Sequence, residues 1–328
     1  MKIETIWKAL GATLLVGAAA PLTALLAQQP AQAPTPAPGP PAGRGGRGAQ
    51  AAVWAPKPIT PGGWIAPNKP IWRLADILAA HKGQASWTEP IVRDQLFQAD
   101  YISMAPGEKT LPCFVADTRE WWIVQDGQIR FTIEGQEPFV AGKGYMVEVP
   151  YRNLYSMETV GDKPSLRFEV NIANATREYP ADEQPPSMPG FEFVKITVAG
   201  KGKYDNTNHP FFDFNDVVSG KVRSDNFIKD DRAVVNIIRQ RGSMNEGSAD
   251  NGHFHESSTE FWFIMEGHVR YAIETQPAFV AEQGDVVYAP IKMRHLASSY
   301  GEGMSTRIAM NGYVDLGHHY PVREATRK

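Results

Sequence analysis

The sequence predicts an all-β protein made of two tandem antiparallel barrels, each preceded by a short helix. One observation is a repeat that relates the two halves of the 328-residue chain. Another is the series of short runs of β-forming residues, broken by glycine or proline roughly every eight to twelve residues. With a hydrophobic content of 42% and a net charge of −3, the chain is long enough for two soluble domains.

The internal repeat has a fixed offset. Adding 140 to a residue number in the first half gives its counterpart in the second half, without a gap, over about eighty residues. Matching pairs are Pro70 and Pro210, Asp76 and Asp216, Glu120 and Glu260, Trp122 and Trp262, and Gly127 and Gly267. The chain therefore contains two copies of one domain.

The amino terminus has the layout of an export signal. Lys2 and Lys8 flank its start, residues 9–27 are apolar, and Ala31-Gln32-Ala33 offers a small-x-small cleavage site. We expect a signal peptide over residues 1–33, export to the periplasm or beyond the cell, and no stable membrane insertion after cleavage. An uncleaved anchor is the alternative, because the apolar run approaches the roughly 20 residues of a spanning helix.

The remaining chain divides into five parts. Residues 34–61 are rich in proline, glycine and alanine and predict a flexible linker. The first barrel is predicted over residues 62–175 and the second over 209–317, with an interdomain connection at 176–208 and a solvated tail at 318–328.

Hydrophobic patterning places the elements within each copy. Short helices are predicted over residues 71–80 and 214–219. Strands are predicted over residues 120–125, 128–133, 145–149 and 165–172, and in the second copy over 260–265, 268–273, 285–288 and 305–310.

Four residues of the second copy have the chemistry of metal ligands. His253 and His255 are two apart, so on a strand both side chains point into the barrel. Glu260 begins the following strand, and His295 lies on a later one. Burying these groups without partners costs roughly 1–3 kcal/mol each, and a metal ion removes that cost. The mixture of nitrogen and oxygen donors suits one divalent transition metal, namely iron, manganese, nickel, cobalt, copper or zinc.

The spacing of these residues resembles the sequence motifs of a known protein family. The two strings are Gly247-x5-His253-x-His255-x4-Glu260-x6-Gly267 and Gly284-x5-Pro290-x4-His295. They resemble the paired motifs of the cupin superfamily, and the duplicated chain resembles a bicupin. The resemblance implies two cupin barrels (double-stranded β-helix or jelly-roll) and the ligands His253, His255, Glu260 and His295. Two positions depart from the usual second motif: Lys292 replaces a glycine and Ser299 an asparagine.

The first copy has lost most of this set. Subtracting 140 from the ligand positions gives Cys113, Val115, Glu120 and Tyr155, of which only the glutamate is conserved between the copies. Valine cannot bind a metal, although Cys113 and Tyr155 can in principle bind a soft or ferric ion. We therefore expect the first barrel to provide packing against its partner or an apolar cavity. Cys113 is the lone cysteine, so no internal disulfide can form.

Strand parity extends the predicted site beyond its ligands. The residues predicted to line a substrate pocket are Trp262, Ile264, Tyr288 and Met293. Glu260 is a candidate catalytic group as well as a ligand. An anionic substrate would need a cation, and Arg307 on the last strand is our candidate.

Three functions fit this sequence. The first is a metal-dependent oxygenase for a small organic substrate, as the resemblance to bicupin dioxygenases implies. The second is non-redox decarboxylase, lyase or isomerase chemistry at a Lewis-acid metal, and the third is a non-catalytic protein that binds a sugar or another metabolite. Nucleic acid is not expected as a partner, because basic and acidic residues nearly balance and no basic stripe is present. The sequence is also compatible with a homodimer.

Overall fold

The computed structural model describes residues 52–222, 226–313 and 317–322. The predicted signal peptide, residues 1–33, and the first part of the predicted linker lie outside these residues. Within the described part of the chain, no helix is both long and apolar enough to cross a membrane.

The described part of the amino-terminal half, from residue 52 onward, contains one helix and eleven short strands. The helix α1 spans Leu74–Ala80. The strands are β1 (Ile71–Trp72), β2 (Trp87–Arg93), β3 (Phe97–Met104), β4 (Phe114–Val115), β5 (Glu120–Asp126), β6 (Gln128–Ile133), β7 (Phe139–Ala141), β8 (Tyr145–Val149), β9 (Tyr155–Val160), β10 (Ser165–Ile172) and β11 (Arg177–Glu178).

The carboxy-terminal half follows a similar order, but its described residues contain no counterpart of β4 or β11. The helix α2 spans Phe214–Val218, and a 3-10 turn spans Ala249–Asn251. The strands are β12 (Phe211–Asp213), β13 (Asn226–Lys229), β14 (Ala233–Arg241), β15 (Glu260–Glu266), β16 (His268–Ile273), β17 (Phe279–Ala281), β18 (Val286–Ala289), β19 (His295–Tyr300) and β20 (Met304–Gly312).

Each barrel is closed by a six-stranded and a three-stranded antiparallel sheet. The first barrel has the strand orders β12-β8-β5-β10-β3-β2 and β7-β6-β9. The second has β1-β18-β15-β20-β14-β13 and β17-β16-β19. The predicted all-β class with two antiparallel barrels is therefore confirmed.

Residue alternation explains why these segments close around an interior. In β6, Ile129, Phe131 and Ile133 are buried, while the residues between them are exposed. Successive side chains of a strand point to opposite faces, so one face of β6 covers the first barrel's core and the other meets solvent. The six-stranded sheets are instead buried on both faces, as β5 and β15 show by their nearly continuous burial.

The outer faces of the two six-stranded sheets form a shared core between the barrels. Phe97 of the first barrel packs edge-on against Phe261 of the second at 5.3 Å between ring centroids. Phe168 and Phe263 lie 5.5 Å apart in the same layer. All four rings are fully buried. Burial of such aromatic pairs stabilises the barrels as one unit.

Two short strands cross to the sheet of the other barrel. Strand β1, from the first copy, pairs with β18 of the second barrel, with Ile71 opposite Val287. Strand β12, from the second copy, pairs with β8 of the first, with Phe211 opposite Val147. The predicted helix over residues 71–80 is therefore wrong at its start: residues 71–72 form strand β1, and the helix begins only at Leu74.

Asp285 of the second barrel explains this late start. One of its carboxylate oxygens accepts a hydrogen bond from the Leu74 backbone N–H at 3.0 Å, and the other lies 2.8 Å from the Arg73 guanidinium. The helix thus begins where a side chain from another part of the chain satisfies one of its free N–H groups.

Candidate metal centre

The backbone brings the four predicted ligands to one end of the second barrel. His253 and His295 form an antiparallel bridge, with N–H to carbonyl distances of 3.1 and 2.9 Å. Glu260, the first residue of β15, lies between Ala289 of β18 and Asn311 of β20 in the sheet register. Residues far apart in sequence therefore present their side chains to one interior point.

The side-chain geometry matches that of a metal site. The Nε2 atoms of His255 and His295 each lie 2.9 Å from Glu260 Oε2, and that of His253 lies 3.7 Å from it. One ligand atom from each of the four residues falls within 4.8 Å of all the others. His255 and His295 are almost fully buried, and the His253 side chain is 19% exposed. A cluster of this composition can hold one metal ion.

Two of the imidazoles are oriented by backbone carbonyls. His255 Nδ1 lies 3.0 Å from the carbonyl oxygen of Gly317, and His295 Nδ1 lies 3.0 Å from that of Met293. A carbonyl accepts only from a protonated nitrogen, so these contacts place the proton on Nδ1 and leave Nε2 as the metal-binding nitrogen.

The electrostatics of the cluster also favour a bound cation. Burial alone would raise the pKa of Glu260, but the imidazoles of His255 and His295, each 2.9 Å from its Oε2, hold it well below its usual range. Burial lowers the pKa of His253 to about 4, partly opposed by Glu260. A charged carboxylate beside neutral imidazoles is the donor set that a divalent transition metal needs.

An unpaired nitrogen of His253 indicates that a metal ion fits among the four predicted ligands. His253 Nε2 is buried and has no hydrogen-bond partner among the described residues. Leaving a buried polar atom unpaired costs roughly 1–3 kcal/mol. Coordination by a metal held also by His255, Glu260 and His295 would remove this cost. The residues present therefore fit the predicted metal.

Three of the four predicted pocket residues lie inside the second barrel, and the fourth lies between the barrels. Trp262, Ile264 and Met293 belong to the apolar cluster inside the second barrel, and the Trp262 ring lies 5.1 Å from that of His295. Tyr288 does not line this interior. It belongs to the core between the barrels, and its hydroxyl donates to Asp94 at 3.0 Å. The prediction for Tyr288 is wrong because neighbours in β18 alternate faces, and Val287 and Ala289 take the inward positions.

Arg307 has unsatisfied donors in the second barrel. It lies two residues from the inward-facing Ala309 on β20, and its Nε and Nη1 are buried without a partner among the residues that the structure describes. In the first barrel its counterpart Arg167 donates to Glu169 at 3.1 Å. Ala309 is the counterpart of Glu169, so Arg307 has lost this acceptor.

Several residues near the site were not predicted from the sequence. The Nδ2 atom of Asn311, opposite Glu260, and the hydroxyl of Tyr271 are buried without partners in the described chain. Strand parity with Ala309 on β20 could have indicated Asn311, and parity with Val269 on β16 could have indicated Tyr271. His318, predicted in a solvated tail, has its ring 4.7 Å from those of His253 and His255. No sequence pattern predicts this approach, because it depends on how the chain folds back after β20.

The turn before His295 accommodates Lys292 at the position where the cupin motif usually has glycine. Lys292 has a φ of 61°, in the left-handed region that favours glycine. Its backbone N–H donates to the His255 carbonyl at 2.9 Å, and its Nζ lies 2.7 Å from Glu256. Arg152, its counterpart in the first barrel, has a φ of 60°. The turn keeps its shape without glycine, at a cost of about 1 kcal/mol.

The first barrel holds an arginine where the second has its metal ligands. Cys113 and Tyr155 form the bridge that corresponds to His253 and His295. The Arg177 guanidinium lies 2.5 Å from Glu120 and 2.5 Å from Glu169, and its Nε donates to the Tyr155 hydroxyl at 3.0 Å. Burial opposes ionisation, but Arg177 and Arg167 lower the pKa of Glu169 to about 2. Of the two expected alternatives, packing against the second barrel is present through Phe97 and Phe168, whereas the end that corresponds to the metal centre is lined by a charged network and is not apolar.

A family model and one solved structure with a TM-score above 0.5 agree with this architecture. Residues 241–309 match the family model of the cupin domain. A salicylate 1,2-dioxygenase from Pseudaminobacter salicylatoxidans is similar over 74% of this chain and 83% of its own, with a TM-score of 0.52 and 11% identity. A cupin 2 conserved barrel domain protein from Leptotrichia buccalis covers 74% of this chain and 95% of its own, with a TM-score of 0.48 and 12% identity. No curated protein sequence matches the chain significantly.

Proposed function

We propose that this chain, a bicupin whose two barrels have the cupin fold, is an exported metal-dependent enzyme that oxygenates a small organic acid. The observation that carries the substrate class is Arg307, whose Nε and Nη1 are buried in the second barrel without an acceptor among the described residues. An unpaired buried guanidinium is costly, and a substrate carboxylate would satisfy it through two parallel hydrogen bonds.

The surrounding donors support an oxygen-rich ligand. The Tyr271 hydroxyl and Asn311 Nδ2 are also buried and unpaired in the described chain. Burial raises the pKa of Tyr271, and the charge of Arg307 acts against this rise. Trp262 and Met293 supply apolar walls. This combination of a few polar groups on an apolar lining is typical of small-molecule sites.

The residues of the metal centre have distinct tasks. His255 and His295 keep Nε2 available because Gly317 and Met293 hold their Nδ1 protons. Glu260 supplies the negative charge. When bound, a metal supplies Lewis-acid chemistry and, if it is iron, manganese or copper, redox chemistry. Arg307 and Asn311 would orient the substrate beside it.

The first experiment measures metal content and turnover together. Protein from the native envelope is analysed for metals, and oxygen uptake is followed with salicylate and gentisate, which match the proposed class of acid. We expect one redox-active ion per chain and oxygen consumption with at least one hydroxylated aromatic acid. His255→Ala should abolish both.

Arg307→Met tests the substrate class separately. It should raise KM for the acid at least tenfold, because a charge-assisted bidentate contact is worth more than about 1.4 kcal/mol. The matched control is Arg270→Met, since Arg270 donates to the Gly247 carbonyl at 2.6 Å and not to the interior. Zinc without turnover would overturn the proposal in favour of a binding protein. Release of carbon dioxide from oxalate without oxygen uptake would favour non-redox chemistry.

A further inference from the structure

The first barrel contains a cavity that the proposed function does not use. Its volume is about 280 Å³, near the lower end of the range of small-molecule sites. Val115 and Glu120, the counterparts of His255 and Glu260, line it together with Arg177. Residues 186–188 and 193 of the interdomain connection also line it. The connection thus folds over the end of the first barrel that corresponds to the metal centre.

Arg177 has hydrogen-bonding capacity left over. Its Nη2 donates hydrogen bonds to Glu120 and Glu169, and its Nε donates to the Tyr155 hydroxyl. Its Nη1 donates to no residue in the described ranges, and 34% of its side chain is exposed where it lines the cavity. The guanidinium therefore offers a fixed donor to a molecule in the cavity.

Two further side chains offer unused polar atoms. Asn171 is only 4% exposed, and its Oδ1 accepts from the Ile172 N–H at 2.8 Å. Its Nδ2 lacks a partner within the described chain. Gln98 donates through Nε2 to the Ala175 carbonyl at 2.9 Å, which leaves its oxygen without a donor there. Both residues line the cavity. A ligand that both donates and accepts hydrogen bonds would satisfy them.

The charges around the cavity cancel. Arg177 and Arg167 offset Glu120 and Glu169. Asp100, also on the lining, pairs with Arg93 at 2.5 Å. A bound anion or cation would add an uncompensated charge, so the site favours a neutral ligand.

An aromatic edge completes the lining. The rings of Tyr179 and Phe193 lie 5.8 Å apart, nearly perpendicular, and both border the cavity. Such rings pack against the apolar face of a saturated ring.

We propose that the first barrel binds a neutral polyhydroxylated small molecule, such as a single sugar ring or a cyclic polyol. Arg177 and Asn171 donate to its hydroxyl oxygens, Gln98 accepts from a hydroxyl, and its apolar face lies against Tyr179 and Phe193. This site is separate from the metal centre and does not depend on the proposed oxygenase activity.

Calorimetric titration of the full mature chain tests this site. The probes are D-glucose, D-galactose, D-xylose and myo-inositol, with benzoate as the anionic probe. We expect at least one neutral probe to bind with one site per chain, and to bind equally well to His255→Ala, in which the metal centre is disabled. Phe193→Ala should weaken binding at least tenfold. Its neighbour Val194→Ala is the matched control, because Val194 is 67% exposed and outside the lining.

Arg177→Lys is the second variant, since it keeps the positive charge but removes the extra donor. It should also weaken binding at least tenfold while the chain stays folded by circular dichroism. Three results would overturn the proposal: no neutral probe binds, benzoate binds at this site in place of the neutral probes, or binding is lost in His255→Ala and retained in Phe193→Ala.

Discussion

At the scale of single residues, the two barrels differ in the cation that neutralises a buried glutamate. Glu120 and Glu260 are equivalent in the repeat, and both are almost fully buried. Glu260 is surrounded by histidines that can hold a metal. Glu120 instead contacts the Arg177 guanidinium. A buried carboxylate needs a compensating charge, and each barrel supplies it differently.

Arg177→Met should destabilise the protein by roughly 3–5 kcal/mol, because it leaves Glu120 and Glu169 without their shared cation. Urea unfolding at neutral pH measures the change. The matched control is Arg130→Met, which breaks an exposed pair with Glu158 and should cost much less, because solvent screens that pair. Equal effects of the two variants would show that Arg177 does not have this role.

The left-handed residue before His295 gives a second prediction at this scale. Lys292→Gly should leave the free energy of unfolding unchanged or raise it by up to about 1 kcal/mol, since glycine adopts a positive φ without strain. Lys292→Ala loses the same contact with Glu256 but keeps the strain, so it should be the less stable of the two. Thermal unfolding compares the variants, and a more stable alanine variant would contradict this explanation.

At the scale of elements, the segment 317–320 covers the metal centre. The Gly317 carbonyl orients His255, and His319 forms a backbone bridge with Phe254. The rings of His318 and Tyr320 both lie beside His253, at 4.7 and 5.1 Å. The segment is thus placed to slow the exchange of a bound metal with solvent.

His318→Ala should accelerate loss of the metal to an external chelator several-fold, because one ring packed against the ligands is removed. Stopped-flow absorbance with a chromogenic chelator measures the rate. His268→Ala, which changes an exposed histidine on β16, is the control. If both variants release metal at the wild-type rate, the segment does not shield the site.

At the scale of the whole molecule, the barrels are joined by buried polar groups as well as by aromatic packing. The guanidinium of Arg119 lies 3.3 Å from the carboxylate of Glu148, which belongs to the same barrel. It also lies 3.2 Å from the carboxylate of Asp230, which belongs to the second barrel. Glu148 is fully buried, and burial raises its pKa to about 8 despite the opposing charge of Arg119. The folded protein therefore retains a proton that the unfolded chain loses near pH 4.5.

This retained proton predicts a pH-dependent stability. Between about pH 4.5 and 8 the folded state binds more protons at Glu148 than the unfolded state, so its contribution to the free energy of unfolding falls as pH rises. The loss is on the order of a few kcal/mol. Glu148→Gln should flatten this part of the stability profile, measured by urea unfolding across the range. Glu137→Gln on an exposed turn is the control, and a slope unaffected by Glu148→Gln would reject the assignment.

The sequence alone determined the parts of this protein that depend on local period and spacing. Alternating burial places the strands, as in β6, whose predicted bounds agree with the structure. The repeat predicted two barrels, and the spacing of His253, His255 and Glu260 predicted a cluster at one end of the second barrel. These features need only the geometry of a strand and its neighbouring turn.

Only the tertiary structure decided the features that join distant segments. The exchange of β1 and β12 between sheets, the inter-barrel position of Tyr288 and the Arg177 contact with Glu120 all connect residues that no local pattern relates. Each depends on which buried groups find partners when the two barrels pack together. The metal cluster was therefore accessible from sequence, whereas the cation and the cavity of the first barrel were not.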